Sequence, residues 1–301
     1  MNIFVAGGSG TIGVPLVRAL VAAGHGVTAM TRSKDKERPL RALGATVTVV
    51  DALDRDALAR AVADAHPTHV IHQLTALPQA GASRPSDLEA TNRLRIEGTR
   101  NLLEAAIHAR AQRILVGSFA MLSARDGGDT SGDPAADAVR SMDTQVLDAN
   151  ARGAIEGIVL RYGLFYGLSV PSMLSLVHMA RRRHLPVILG DDGQLPVINL
   201  DDAVSATVLA LDRAMPGAVY DIVDDRPVSF SEMVETIAEY TGSPTPRRVP
   251  AWIPRLVAPN MSRLMTMQVP LSNAKAKSEL GWQPTYPTIR EGLAPLAHLA
   301  A

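Results

Sequence analysis

The residues of this chain that point most clearly to chemistry are three glycines near its amino terminus, Gly7, Gly10 and Gly13. They follow an apolar run at residues 3–6, so a first strand would pass through a glycine turn into a first helix. Gly7 permits the tight turn, Gly10 lets a phosphate approach the backbone, and Gly13 lets the helix pack on the strand. Amides at the positive end of the helix dipole would bind the phosphates. The spacing predicts a pyrophosphate site for a dinucleotide.

A second feature concerns which dinucleotide would bind. NAD sites commonly carry an acidic residue about 20 positions beyond the glycines, where it binds the ribose hydroxyls. Residues 28–34 hold no carboxylate and contain Arg32 and Lys34 instead. A guanidinium matches a 2′-phosphate and an ammonium adds positive charge, so the sequence favours NADP(H) over NAD(H). The alternative is that both charges only begin a helix.

Composition limits the classes of partner. The chain has 301 residues, of which 47% are hydrophobic and 20% charged, so it is long enough to bury a large core. Its 30 basic and 30 acidic residues cancel, so we expect neither nucleic acid nor a membrane as partner. The absence of cysteine excludes disulfides and thiolate catalysis. The amino terminus lacks a signal-peptide pattern, and we expect a cytoplasmic protein; homodimerisation stays open.

The sequence alternates short apolar runs with helical stretches, and this alternation predicts the elements that would position these residues. We predict strands near residues 2–6, 26–30, 46–50, 69–73, 113–117 and 157–160. We predict helices near residues 13–23, 36–43, 54–63, 86–109 and 134–151. Strands that alternate with helices of this length imply crossover connections and a parallel sheet covered on both faces. The predicted fold class is α/β, a Rossmann-like doubly wound parallel sheet.

Prolines punctuate shorter elements after Arg161, which predicts a smaller carboxyl-terminal substrate lobe. We expect one strand near residues 217–223 to return to the sheet. The predicted domains are residues 1–166, which that strand joins, and a lobe at residues 167–216 and 224–301. Residues 86–89 and 229–232 each have the spacing of a capping box, which predicts two helix starts.

Further segments follow a recognisable order along the chain. They are residues 51–54 after the third strand, 70–76 on the fourth, Thr91-Asn92 with 97–103, 160–167, 199–203 and 279–284. With the glycine turn they resemble, almost end to end, the extended and atypical short-chain dehydrogenase/reductases, the group that contains the NAD-dependent epimerase/dehydratases. The resemblance implies a bound dinucleotide and an enzyme acting on a small molecule between the sheet and the carboxyl lobe.

The resemblance also assigns site residues. Asp51 would contact adenine, and residues 70–76 would lie beside the cofactor. Ser118 would take the place of the family's catalytic serine at the end of the fifth strand. The predicted cofactor-binding residues are Gly7, Ser9, Gly10, Thr11, Ile12, Gly13, Arg32, Asp51, Ala52, Leu53, Gln73, Leu74, Thr75, Asn92, Arg140 and Tyr162.

The chain departs from the family at the catalytic pair. Family chemistry uses a tyrosine that transfers a proton and a lysine four residues later, which fall near Ala135 and Val139 in this chain. No tyrosine of the chain has a lysine four positions on. Arg140 is the nearest cation and offers a ribose contact, but a guanidinium has no acceptor and cannot relay a proton.

A different group must therefore hold or supply the proton. The Ser118 hydroxyl could bind a substrate oxygen, or it could form hydrogen bonds only with backbone groups. Tyr162 and Tyr166 are the first candidates for a proton donor, with packing as the alternative, and His72 and Asp143 follow. A phenol with a pKa of about 10 donates a proton more readily than it accepts one, which favours reduction over oxidation.

Three hypotheses for the function follow. The leading one is an NADP(H)-dependent oxidoreductase or epimerase-like enzyme for a small polar or polyketide-like carbonyl or hydroxyl compound. The alternatives are non-redox isomerisation, dehydration or cyclisation on the same fold, and a non-catalytic NADP(H)-binding sensor or accessory protein. We expect no metal site, because His69 and His72 of the apparent repeat would point to opposite faces of one strand.

Overall fold

A computed structural model describes residues 1–77, 84–123, 132–190, 193–257, 268–269 and 271–299 of the chain. Its strands are β1 (Asn2–Ala6), β2 (Gly26–Thr31), β3 (Thr46–Val49), β4 (His69–His72), β5 (Arg113–Phe119), β6 (Glu156–Tyr162), β7 (Leu164–Tyr166), β8 (Val187–Leu189), β9 (Val197–Asn199), β10 (Val219–Ile222) and β11 (Arg248–Pro250). Seven of them form one sheet in the order β10-β6-β5-β4-β1-β2-β3. All its strand pairs are parallel. The predicted α/β fold class is confirmed.

The described residues form thirteen α-helices. They are α1 (Gly13–Ala22), α2 (Glu37–Ala42), α3 (Arg55–Ala65), α4 (Glu89–Arg93), α5 (Thr99–His108), α6 (Ala120–Ser123), α7 (Pro134–Ala151), α8 (Pro171–Arg181), α9 (Leu200–Arg213), α10 (Phe230–Tyr240), α11 (Trp252–Val257), α12 (Ala274–Leu280) and α13 (Ile289–Leu293). One core cluster joins Leu16 and Leu211, on α1 and α9, to one face of the sheet. The other joins Leu58, Leu102 and Val146, on α3, α5 and α7, to the opposite face.

The long helix predicted over residues 86–109 is not continuous. A 3₁₀ turn (Pro85–Leu88) leads into α4, and a π-helical turn (Leu94–Gly98) separates α4 from α5. The capping box predicted to begin at Ser86 is also wrong, because the start of this segment is closed by the Asp87 carboxylate, which accepts from Arg84 N at 2.9 Å. A π turn holds an extra residue, so it changes the direction of the side chains that follow.

The carboxyl-terminal part adds two short parallel pairs, β7 with β9 and β8 with β11. The buried Asp202 carboxylate on α9 accepts from Thr285 N at 2.7 Å and Tyr286 N at 2.8 Å, which ties the segment before α13 to α9. Ser229 caps α10 by accepting from Glu232 N at 3.0 Å, as the spacing predicts. Within the described ranges, no helix has the length and apolar character needed to cross a bilayer.

Candidate active site

The glycine turn lies between β1 and α1 and has the geometry that a phosphate cradle requires. Gly7 has φ +88°, and a Cβ at Gly7 would come within 2.5 Å of the carbonyl oxygen of Gln73. A Cβ at Gly13 would lie 2.1 Å from Gly7 O, whereas Gly10 and Thr11 are exposed. No described side chain caps α1 at its buried N-cap residue, Ile12. Its first turn therefore fits a dinucleotide pyrophosphate.

The edge beyond β2 carries hydroxyl groups and an exposed arginine. Ser9 Oγ lies 3.0 Å from Thr31 Oγ1, and that oxygen also accepts from Ser33 N at 3.2 Å. Arg32, between them, is exposed. The nearby Asp35 carboxylate accepts from Ser33 Oγ at 2.5 Å, a contact that lowers the pKa of Asp35. This carboxylate is therefore engaged with its own turn.

The acidic turn after β3 joins the same edge, since Val50 N donates to Thr31 O at 2.9 Å. The exposed Asp51 accepts from Leu53 N at 2.9 Å, which closes the turn. Ala52 is buried, and its carbonyl accepts from Asn101 Nδ2 at 2.9 Å. The backbone around Asp51, the predicted adenine contact, is thus held in place beside the glycine turn.

The segment after β4 runs along the glycine turn, and its first side chain points into the protein. Gln73 N donates to Ala6 O at 2.8 Å, while the Gln73 amide donates to the Tyr162 hydroxyl at 3.1 Å. Leu74 is half-buried and Thr75 is exposed. The Gln73 backbone therefore lines this edge, whereas its side-chain amide points into the protein and binds the Tyr162 hydroxyl.

His72 is not a suitable acid. It is fully buried, and burial lowers the pKa of its imidazole to about 4. Its Nδ1 accepts from Leu74 N at 3.2 Å, so the other ring nitrogen donates to Thr99 Oγ1 at 2.9 Å. A neutral imidazole with both nitrogens in hydrogen bonds connects β4 to α5.

The Tyr162 hydroxyl lies on the wrong side of the sheet for the predicted roles. Ser118 pairs with Arg161 in the register of β5 and β6, and Tyr162 is the next residue, so its ring faces α9. The hydroxyl lies 2.7 Å from Thr207 Oγ1 on α9, and burial raises the pKa of Tyr162 to about 12. This geometry argues against Tyr162 as a proton donor or cofactor ligand.

Tyr166 is also committed to packing. It is 1% exposed, and its hydroxyl donates to Asp224 Oδ2 at 2.7 Å and to Thr288 O at 3.2 Å. A Cβ at Gly292 would lie 2.5 Å from this ring. These contacts join β7 to the carboxyl-terminal segment, and they argue against Tyr166 as the proton donor.

Ala135 and Val139 lie on the buried face of α7, but Arg140 does not. Its guanidinium donates to Asp137, one turn earlier on the same helix, and its side chain is 42% exposed. The helix rotates about 100° per residue, so the residue after Val139 lies away from the sheet. The residue that shares the face of Val139 is Asp143, one turn later.

Ser118, Asp143, Arg161 and Asp221 form what we call the buried polar cluster. Ser118, Arg161 and Asp221 stand in one row across β5, β6 and β10. Asp143 approaches this row from α7, with its Oδ2 at 3.5 Å from Arg161 Nε. In the described chain six buried side-chain polar atoms lack a hydrogen-bond partner, and five belong to this cluster. Orphaned atoms concentrated at one place indicate a functional site.

The electrostatics of the cluster centre on the Asp143 carboxyl. Burial raises its pKa, and the Ser118 hydroxyl and the guanidinium groups of Arg161 and Arg95 oppose that rise. Burial also raises the pKa of Asp221. A carboxyl beside a hydroxyl at the carboxyl edge of a parallel sheet can hold a proton next to a bound substrate.

Sequence reasoning singled out Ser118 and Asp143 but missed Arg161, Asp221 and Arg95. Two of them could have been found from the sequence, because Arg161 and Asp221 are charged residues within otherwise apolar strands. Arg95 carried no such signal, because its position depends on the π turn. The predicted ligand Asn92 accepts from Arg95 Nη1 at 3.3 Å, so it acts within this helical segment.

The parallel sheet, the phosphate cradle and the polar cluster at one edge define a dinucleotide-dependent enzyme of the Rossmann type. Comparison with known proteins identifies the group. Residues 3–223 match the model of the NAD dependent epimerase/dehydratase family, and the chain belongs to this family. It is an NAD(P)-dependent, oxidoreductase-like enzyme family, as the motifs indicated.

Two relatives extend the comparison. The 3-diazoavenalumate denitrifying reductase of a Streptomyces species is 36% identical, and the alignment covers 97% of this chain and 99% of the relative. The 4-hydroxy-2-methyl-3-oxo-4-farnesyl-3,4-dihydroquinoline-1-oxide ketoreductase of Stigmatella aurantiaca is 27% identical, with coverage of 94% and 92%. Both similarities extend over nearly the whole chain.

Solved structures share the fold. UDP-glucose 4-epimerase of Thermotoga maritima, solved with UDP-glucose, has a TM-score of 0.79 at 22% identity and covers 99% of this chain and 98% of its own. UDP-glucose 4-epimerase of Thermus thermophilus, solved with NAD, has a TM-score of 0.77 at 23% identity, with coverage of 99% and 98%. At these identities the likeness concerns architecture.

Proposed function

We propose that this protein is an NADP(H)-dependent reductase whose substrate accepts hydride without a proton from a tyrosine. The observation that carries the proposal is the sheet-facing side of α7. There Ala135 and Val139 are buried and apolar, near the positions to which the family resemblance assigns a tyrosine and a lysine. Ser118 and Asp143 are the polar groups that remain beside this surface.

The substrate class that suits this surface is a diazo or diazonium compound. The relative at 36% identity is named as a denitrifying reductase of a diazo acid. NADPH, when bound, supplies a hydride. Addition of that hydride to the terminal nitrogen of a diazonium group forms an N–H bond and a diazene. The C–N bond then breaks, N₂ leaves, and the hydrogen ends on carbon. Both electrons come from the hydride. A diazonium cation consumes no net proton, whereas a neutral diazo compound must first be protonated to that cation, so a tyrosine–lysine pair is dispensable for the diazonium form.

The preference for NADP(H) rests on the edge beyond β2. Arg32 is exposed there and has no ion-pair partner among the described residues, while the Ser33 backbone and the Thr31 hydroxyl are tied together. Asp35, the acidic residue of the turn that follows Arg32, accepts a hydrogen bond from the Ser33 hydroxyl. A guanidinium beside hydroxyl groups, with no carboxylate directed at the ribose, favours a 2′-phosphate.

The orphaned oxygens of the cluster favour a second candidate, reduction of a small polar or polyketide-like carbonyl compound. Ser118 Oγ and both Asp143 oxygens lack hydrogen-bond partners in the described structure, and Asp143, which forms an ion pair with Arg161, is buried. A hydride would add to the carbonyl carbon, and the oxygen would take the Ser118 proton. The Asp143 carboxyl would replace that proton and recover its own from solvent. The ketoreductase at 27% identity supports this alternative.

A direct assay separates these functions. The purified protein is given NADPH with 4-carboxybenzenediazonium, or with a panel of ketones, and NADPH oxidation, N₂ and benzoate are measured. We expect NADPH oxidation with the diazonium compound, one N₂ and one benzoate per NADPH. Gly10→Val is the control, because its side chain would occupy the phosphate cradle. Turnover of ketones alone would favour carbonyl reduction, and NADPH binding without any turnover would indicate a sensor.

A further inference from the structure

Arg95 is a buried arginine that the described structure leaves largely without partners. It lies in the π-helical turn Leu94–Gly98 and is 7% exposed. Its one hydrogen bond to a described residue runs from Nη1 to Asn92 Oδ1, at 3.3 Å. It forms no ion pair with any carboxylate in the described ranges. A guanidinium has five N–H groups, so most of its donors are unused.

Such an arrangement is costly unless another anion completes it. Removal of a charge from water is compensated only when its hydrogen-bonding groups find partners. Burial lowers the pKa of Arg95 to about 10, and the only opposing influence is the charge of Asp143. Asp143 itself lies against Arg161, at 3.5 Å. The Asp143 carboxylate is therefore paired with Arg161 and not with Arg95.

The position of Arg95 places its charge beside the candidate active site. Its guanidinium influences the pKa of both Asp143 on α7 and His72 at the end of β4. These residues flank the edge of β5 that carries Ser118. None of the six fully enclosed orphan atoms belongs to Arg95, so its unused N–H groups border space that a solvent molecule can enter.

The π turn holds Arg95 in this place. Gln145 on α7 donates to Ile96 O at 3.2 Å and thereby anchors the turn to the helix that carries Asp143. π turns within helices occur frequently at functional sites, where the extra residue redirects a side chain.

We propose that Arg95 is the binding site for a carboxylate group of the substrate, with the Ser118 hydroxyl as a neighbouring donor. This inference rests on the proposed function and adds the substrate class, an organic acid. A guanidinium binds a carboxylate through two parallel hydrogen bonds. Ser118 Oγ is buried and forms no hydrogen bond with a described residue, and Asp143 links it to Arg95, because both the Ser118 hydroxyl and the Arg95 charge lower the pKa of that carboxyl.

The test measures binding of benzoate, the acid product of the probe reaction, to the protein saturated with NADP⁺. We expect saturable binding by isothermal titration calorimetry to the wild type and none of methyl benzoate. Arg95→Met should weaken benzoate binding by about 10- to 100-fold, the loss expected for a charged hydrogen-bonding pair. Arg95→Lys keeps the charge and should show an intermediate loss. Arg93→Met is the matched control, because Arg93 is exposed and paired with Glu97.

Several results would overturn the inference. These are no benzoate binding to the wild type, equal binding by the wild type and Arg95→Met, or an equal loss in Arg93→Met. A change in NADPH affinity without a change in benzoate affinity would also overturn it. Benzoate binding needs no turnover, so the carboxylate site can be upheld even if the diazonium compound is not reduced. Circular dichroism melting curves check that each variant is folded.

Discussion

Ser118 and Arg161 are register partners on β5 and β6, and both side chains face α7. Asp143 approaches Arg161 from that helix at 3.5 Å, and no tyrosine or lysine stands among them. The relationship combines a hydroxyl, a guanidinium and a carboxyl at the sheet edge where ligands of open α/β sheets bind. The three polar groups therefore lie on the sheet and in the middle of α7.

Removal of the hydroxyl and the carboxyl of this cluster should separate the two candidate reactions. Ser118→Ala and Asp143→Asn should lower carbonyl reduction by about 100-fold, the usual worth of a positioned acid. The kcat of diazonium reduction should change little, because this reaction consumes no net proton, and the lost Ser118 donor should appear only in the KM for an acid substrate. Initial rates with both substrates, measured across a pH range of about 5 to 9, check the prediction. Equal losses for both reactions would contradict a role in proton transfer.

The Arg32 side chain should determine the choice of cofactor. Arg32→Ala should weaken NADPH binding by about 10- to 100-fold, since a charged hydrogen-bonding pair is lost, and should leave NADH binding unchanged. Arg38→Ala, a nearby exposed position on α2, serves as the control. Fluorescence titrations with both nucleotides give the result. Parallel losses for NADPH and NADH would remove the basis for the preference.

The two buried phenols should matter for stability and not for catalysis. Tyr162→Phe leaves Thr207 and the Gln73 amide without their partner, and it should lower the free energy of unfolding by about 1 to 3 kcal/mol. Tyr166→Phe should have a similar effect, because Asp224 loses its donor. NADPH turnover by both folded variants should stay near that of the wild type. A loss of turnover with unchanged stability would restore a phenol as proton donor.

Asp224 should make the protein less stable at alkaline pH. Burial raises the pKa of its carboxyl from 3.8 to about 8 in the folded protein. Because the unfolded state ionises first, the free energy of unfolding should fall as the pH rises between these two values and level off above the higher one. Asp224→Asn retains an acceptor for Tyr166 and should flatten this fall. Melting temperatures over a pH range of about 4 to 9 provide the measurement, and identical slopes for both proteins would contradict it.

The parallel sheet could be predicted because each strand is a short apolar run with a helix after it. The glycine turn could be predicted too, since its requirement for absent side chains is local. Tyr162 and Arg140 could not be placed, because the face of a strand or helix that a residue occupies depends on register and phase. Arg95 could not be found, since a single extra residue in the π turn directs it inward. These are tertiary effects that spacing alone does not encode.

In the proposed reaction a hydride is transferred to a substrate that needs no proton from the protein. The most direct test is the stoichiometry of the reaction of 4-carboxybenzenediazonium with NADPH in weakly buffered solution. NADPH oxidation, N₂ release and proton uptake are recorded together in a pH-stat cell. We predict equal amounts of N₂ released and NADPH oxidised, with no net proton uptake. Absence of N₂, or uptake of one proton for each NADPH oxidised, would contradict the account.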